Sequence, residues 1–168
     1  MSETSTNVPE AITTAAAELD DAMGHLIDVV GRLSDGDLHR AHFDGGWTVA
    51  QVVSHINVCT IMWLGDLRRL EADPDLRFFY REAIGHDLTG YPPPTVEIAV
   101  GQLESTRRTL ATALPQQSPE LLARTVEIPD LGTMTIEEWT PLITGHLVMH
   151  TGQATEILTN RGAMPQGV

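Results

Sequence analysis

The sequence contains no lysine, and all ten of its basic residues are arginine. That removes any mechanism built on a Schiff base at a lysine amine. One cysteine, Cys59, is too few for an internal disulfide or for a zinc site with two or four Cys ligands. Basic clusters are missing as well. With a formal net charge of −13 the chain is a poor partner for phosphate backbones or anionic lipid surfaces, so neither nucleic acid nor membrane binding is expected. No apolar run reaches the roughly 18 residues a membrane span needs. Residues Met1 to Asn7 lack the basic and apolar regions of a signal peptide, and a cytoplasmic location is expected by default. There is no Gly-x-Ser-x-Gly elbow, no glycine-rich phosphate loop, no strand–helix alternation, no internal repeat and no low-complexity segment.

What is present is helical periodicity. The 168 residues, 42% hydrophobic and 20% charged, suffice for one domain, residues 1–168, with residues 1–7 and 163–168 expected to be loose. A first helix is predicted from Pro9 to Leu33, with Ile12, Ala16, Leu19, Met23, Leu26, Val30 and Leu33 inward and His25 on the surface. Ser34-Asp35-Gly36 ends it. Asp37 to Gly46 reads as a loop carrying His39, His42 and the turn signal Asp44-Gly45-Gly46.

A second helix opens at Trp47 and ends near Asp73. Thr48 and Gln51 form a capping box, and Val49, Val52, Ile56, Cys59, Trp63, Leu67 and Leu70 form its core face, with His55 at the edge. Asp75 to Pro94 is a long connection, read as a lid or pocket wall, in which Leu76 to Arg81 suits a short helix. A third helix is predicted from Thr95 to Leu114, with Val96, Val100, Leu103, Leu110 and Leu114 inward. Arg124–Ile128 and Thr133–Thr135 flank a turn and read as a small hairpin or extended turn. Thr135 and Glu138 form a second capping box at the start of a fourth helix that runs to Gly162. The fold class is all-α, a four-helix bundle with a long connection between helices 2 and 3.

The fourth helix carries the most informative stretch, Gly145 to Gln153. Trp139, Ile143, His146, His150, Gln153 and Ile157 follow four–three spacing, which places two imidazoles one turn apart on the expected buried line. A buried imidazole nitrogen without a partner costs about 1–3 kcal/mol. Hydrogen bonds within the core would satisfy each ring, and a metal ion would satisfy both together. The spacing alone leaves the two readings level, since a lone His-x-x-x-His is a weak motif.

His55, His146 and His150 are the three of seven His on or beside a core face. Three imidazoles from two helices would leave a metal with an open position, the arrangement of a catalytic site. Leu147 stands where a zincin needs Glu, and the Glu-x-x-His pairs of a ferritin-like di-iron site are missing. Haem ligation by His remains an alternative.

Cys59, one turn after His55, reads as a small core residue before a ligand. Trp47 reads as packing at the helix start, with pocket lining second. Gln153 could orient a ligand imidazole or simply satisfy the core. Arg77, Arg81, Arg107 and Arg108 could hold an anionic substrate but suit solvated surface positions. His39, His42 and His86 fall in loops.

The sequence resembles the DinB-like (DinB/YfiT) superfamily of metalloenzymes. Trp47-Thr48-Val49 leading to His55 is similar to the opening of that family's second helix. Gly145-His146-x-x-x-His150-x-Gly152-Gln153, followed by Arg161-Gly162 and Pro165, is similar to the close of its fourth helix, and Leu121 to Thr135 resembles the segment before it. The resemblance covers nearly the whole chain. It implies a four-helix bundle, often a homodimer, with a divalent metal held by His55, His146 and His150. Zn or Ni is foremost for that site, with Fe, Mn or Cu as alternatives. Relatives include S-transferases and a maleylpyruvate isomerase that use low-molecular-weight thiols such as mycothiol or bacillithiol. The function so implied is a metal-dependent thiol transferase or isomerase acting on a small electrophile. The alternative is a non-enzymatic, stress-linked bundle whose metal is structural.

Overall fold

The computed structural model describes residues 8–41, 46–76, 91–128 and 131–159. Outside them lie the expected short helix near Leu76–Arg81 with Arg77, Arg81 and His86, the loop residues His42, Asp44 and Gly45, the turn at 129–130, and the tail with Arg161, Gly162 and Pro165. The elements are α1 (Glu10–Val30), α2 (Asp35–Leu38), α3 (Val49–Ala72), α4 (Val96–Ala113), a 3₁₀ turn (Leu114–Gln116), α5 (Pro119–Leu122), β1 (Thr125–Ile128), β2 (Gly132–Thr135) and α6 (Ile136–Thr159). The long helices α1, α3, α4 and α6 form the four-helix bundle that the periodicity predicts.

Helix α1 buries Ile12, Ala15, Leu19, Met23, Leu26 and Val30. Ala15 takes the fully inward place expected for Ala16. The helix stops three residues before Leu33. Past Gly31 the chain tightens into i→i−3 bonds, Arg32 N–H to the Val29 carbonyl and Leu33 N–H to that of Val30. The loop expected from Asp37 begins instead inside α2. Ser34 Oγ accepts from the Asp37 N–H, and one helical turn drives Leu38 fully into the core. The Asp35 carboxylate accepts from the Val96 N–H at 2.7 Å and so caps α4, together with Thr95 Oγ1, which accepts from Ile98. His39 is exposed, as expected, and its Nε2 lies 3.1 Å from the Pro94 carbonyl.

Both capping boxes form as the sequence predicts. Thr48 N–H donates to Gln51 Oε1 at 2.8 Å, and Gln51 N–H donates to Thr48 Oγ1 at 3.1 Å. Thr135 N–H donates to the Glu138 carboxylate at 2.8 Å, and Glu138 N–H donates back to Thr135 Oγ1 at 3.2 Å. The hairpin is antiparallel, with Thr125 opposite Thr135 and Ile128 opposite Gly132. Gly132 has φ +81°, a conformation that favours glycine. At the base of the hairpin the Arg124 guanidinium donates to the carbonyls of Leu70, Asp73 and Leu76, tying the strand to the C-terminal end of α3.

The order of helices around the bundle is not the simple one. Helix α1 packs on α6 and α4, and α3 packs on those same two helices. The consecutive long helices α1 and α3 therefore face each other across the diagonal, as do α4 and α6. In an up-down-up-down bundle with short loops each helix would neighbour the next. The consequence for function is that α3 and α6 lie side by side.

Candidate metal centre

His55 lies two turns into α3. That part of the helix is buried nearly all round, from Val52 to Asn57, and His55 itself is 2% exposed rather than at an edge. His146 and His150 project from α6. The buried face of α6 is wider than the line its spacing suggests: Trp139, His150 and Ile157 of that line are buried, whereas Ile143, His146 and Gln153 are not. A second buried line runs through Ile136, Thr140, Thr144, Leu147, Thr151 and Ala154, about one residue round the helix. Each Thr on that line turns its hydroxyl onto a nearby backbone carbonyl of the same helix, Thr140 onto Ile136, Thr144 onto Thr140 and Thr151 onto Val148, so it packs like an apolar residue. His150 is 7% exposed, whereas His146 is the most exposed of the three. The pair sits at the flank of the core, not on its axis.

The three rings nevertheless converge. Their centroids are 4.4 Å apart for His55 and His150, 4.5 Å for His146 and His150, and 5.7 Å for His55 and His146. One nitrogen from each lies within 4.8 Å of the others, and among the described residues no other group of His, Cys, Asp or Glu is so gathered. The Nε2 atoms of His146 and His150 are 3.2 Å apart. Two imidazole nitrogens each about 2.0–2.1 Å from one tetrahedral ion would be about 3.3 Å apart, so the spacing fits a shared cation. His150 Nδ1 lies 2.7 Å from Gln153 Oε1, a partner that leaves Nε2 free for the centre.

Burial holds the pKa of both His146 and His150 below the ordinary imidazole value. For His146 the charge of His150 adds to the effect, and for His150 the Gln153 hydrogen bond opposes it. Neutral rings at neutral pH are what metal ligation requires. The donor set, its protonation and its spacing all suit a divalent ion.

The surroundings settle several side roles. Trp47 does more than pack at the helix start. Its ring stacks on His150 at 6.0 Å and 12° and meets His55 edge-on at 5.0 Å. Periodicity could not place it, because it precedes the helix. Cys59 Sγ is 3.4 Å from His55 Nε2 and belongs to no ligand group, and burial pushes its thiol up to about 11. Arg107 forks onto Asp20 with both bonds at 2.6 Å, and Arg108 pairs with Glu104 at 3.9 Å, so both engage carboxylates. His25 is exposed, as expected.

No described helix is long and apolar enough to cross a membrane. None of the curated proteins matches the chain. Among solved structures it is similar to YfiT from Bacillus subtilis, described as "a probable metal-dependent hydrolase with an unusual four-helix bundle topology". The TM-score is 0.62 at 20% identity, covering 94% of this chain and 91% of that one. At that identity the likeness is one of fold, a four-helix bundle. The sequence model of the DinB superfamily matches residues 9–154, a span that contains all three converging histidines and both capping boxes. The chain therefore belongs to the DinB superfamily.

Proposed function

We propose that the chain is a divalent-metal-dependent enzyme in which His55, His146 and His150 hold the ion and leave one side open to a small-molecule substrate. Zn or Ni is the first choice of ion, with Fe and Cu also compatible with imidazole donors and Mn, which prefers oxygen donors, a weaker alternative. The observation that carries the reading is the approach of His146 Nε2 and His150 Nε2 to 3.2 Å with the His55 ring facing them. When bound, the ion would supply a Lewis-acid position at which a thiol or water loses its proton near neutral pH. The chain's residues do the rest. Three neutral imidazoles leave the ion's charge uncompensated, Gln153 holds the His150 ring, and Trp47 forms one wall.

The favoured reaction is transfer of a low-molecular-weight thiol of the mycothiol or bacillithiol kind to a small electrophile, or its isomerisation. A cosubstrate thiol fits a chain whose one cysteine is held as a neutral thiol beside His55. Hydrolysis is a second reading, favoured by the fold shared with a protein described as a metal-dependent hydrolase. A non-enzymatic module with a structural ion is the remaining alternative. We take the protein to act as a cytoplasmic homodimer of single-domain chains.

Elemental analysis of wild type and His146→Ala tests the ligand set. About one equivalent in wild type and a marked loss in the variant are expected, and equal content in both would remove the assignment. A cobalt-loaded form titrated with small thiols then separates the reactions. A thiolate-to-cobalt band with turnover of a model electrophile supports transfer. Ester or amide turnover without thiol supports hydrolysis. A loaded protein inert in both assays leaves the structural-ion alternative.

A further inference from the structure

The two histidines of α6 are not equivalent. Gln153 Oε1 lies 2.7 Å from His150 Nδ1, and an amide oxygen only accepts, so His150 carries its proton on Nδ1 and a lone pair on Nε2. That lone pair faces His146 Nε2 at 3.2 Å. Two lone pairs at this distance repel. Without an ion, His146 therefore carries its proton on Nε2 and donates it to His150. Trp47, stacked on His150 at 12°, holds the plane of that ring. Among the described residues nothing accepts from His146 Nδ1 by a hydrogen bond, and His146 is the most exposed of the three rings.

We propose that Gln153 and Trp47 are positioning residues that set His150 in its ligand form before any ion arrives, and that His146 is the ligand that must change form. On ion binding His146 Nε2 gives up its proton to water and Nδ1 takes one from water, so the ring stays neutral and no net proton is released by this residue. The second half rests on the proposed three-histidine metal site. The first half does not.

The test is ¹⁵N-histidine NMR of the metal-free protein at pH 8, followed by zinc affinity measured by chelator competition, on wild type, Gln153→Leu and Gln153→Glu. In wild type His150 is expected in the Nδ1–H form and His146 in the Nε2–H form, with His146 changing to Nδ1–H when zinc is added. Gln153→Leu should release His150 to the Nε2–H form and weaken zinc about 10- to 100-fold. Gln153→Glu keeps an acceptor oxygen and should restore both the tautomer and the affinity. His150 found as Nε2–H in wild type would overturn the proposal, since the Gln153 amide would then be donating. So would a Gln153→Leu protein with wild-type tautomers and wild-type zinc affinity. Expected tautomers with no zinc uptake would uphold the first half and overturn the second together with the metal site.

Discussion

Cys59 gives the sharpest test of how this site is wired, because two opposite outcomes are chemically reasonable. Its sulfur lies 3.4 Å from His55 Nε2. A Cys–His contact can ionise into a thiolate–imidazolium pair, as in enzymes whose Cys pKa falls to about 3–4. Here burial opposes ionisation and holds the thiol at about 11, so Cys59 should remain a neutral S–H. At pH 8 a thiol of pKa 9.0 is about 9% thiolate and one of pKa about 11 about 0.1%, a difference of roughly 100-fold. The more basic thiolate is intrinsically more reactive, by roughly sixfold to tenfold over two units. Alkylation by iodoacetamide at pH 8 should therefore be about 10- to 15-fold slower in the native protein than in the unfolded chain, before steric protection is added. Measured from pH 5 to 10.5, the native rate should climb about tenfold per unit to the top of the range. A rate already level at pH 6 would mean an ion pair and would refute the burial argument. A sulfur-to-cobalt band in the loaded protein, lost in Cys59→Ala, would make Cys59 a ligand and overturn the three-histidine assignment.

Other outcomes follow from the same geometry. His146 and His150 have lowered native pKa values, so between those values and about 6.5 the unfolded chain binds more protons than the native state. Stability should be level above about pH 6.5 and fall as pH drops through that window, as followed by thermal melts; a stability that rises on acidification there would contradict the burial of these rings. Chelation should lower the melting temperature yet leave the helical circular dichroism at 20 °C largely intact, because the apolar seams of α1, α3 and α4 do not depend on the site. A random-coil spectrum after chelation would show that the ion organises the fold. Arg124→Met removes three charge-assisted hydrogen bonds at the end of α3 and should cost about 2 kcal/mol, or about 4–8 °C in melting temperature. Arg124→Lys should recover less than half, since the three donors of an ammonium leave one atom and cannot span the positions reached by two guanidinium nitrogens; a full recovery would refute that account.

The parts of this fold that were legible in the sequence are those fixed by neighbours along the chain. A capping box needs only residues three apart, and Thr48–Gln51 and Thr135–Glu138 both close. The α1 seam is mostly Ile, Leu, Met and Val, so its burial follows from spacing except where Ala15 takes the place expected of Ala16. Helices α2 and α5 span four residues each, too few for a period to register, although Ser34 and Ser118 ahead of them are ordinary helix caps. The order of helices around the bundle has no local signal at all, because it is decided by which seams fit together.

The α6 seam is the instructive failure. Four–three spacing correctly places Trp139, His150 and Ile157 inward but not Ile143, His146 and Gln153, and the rest of the buried face is rich in Thr, whose hydroxyls bond to their own helix and so vanish as polar groups. The three histidines converge although, of the pair on α6, His150 alone is buried. Imidazoles on the core axis would be sealed from substrate. On the flank of α6, beside α3, His55 and His150 stay buried while His146 reaches the surface. A site assembled this way has a buried side at His55 and His150 and an exposed side at His146. The diagonal placement of α1 and α3 is what brings α3 against α6 and makes that arrangement possible.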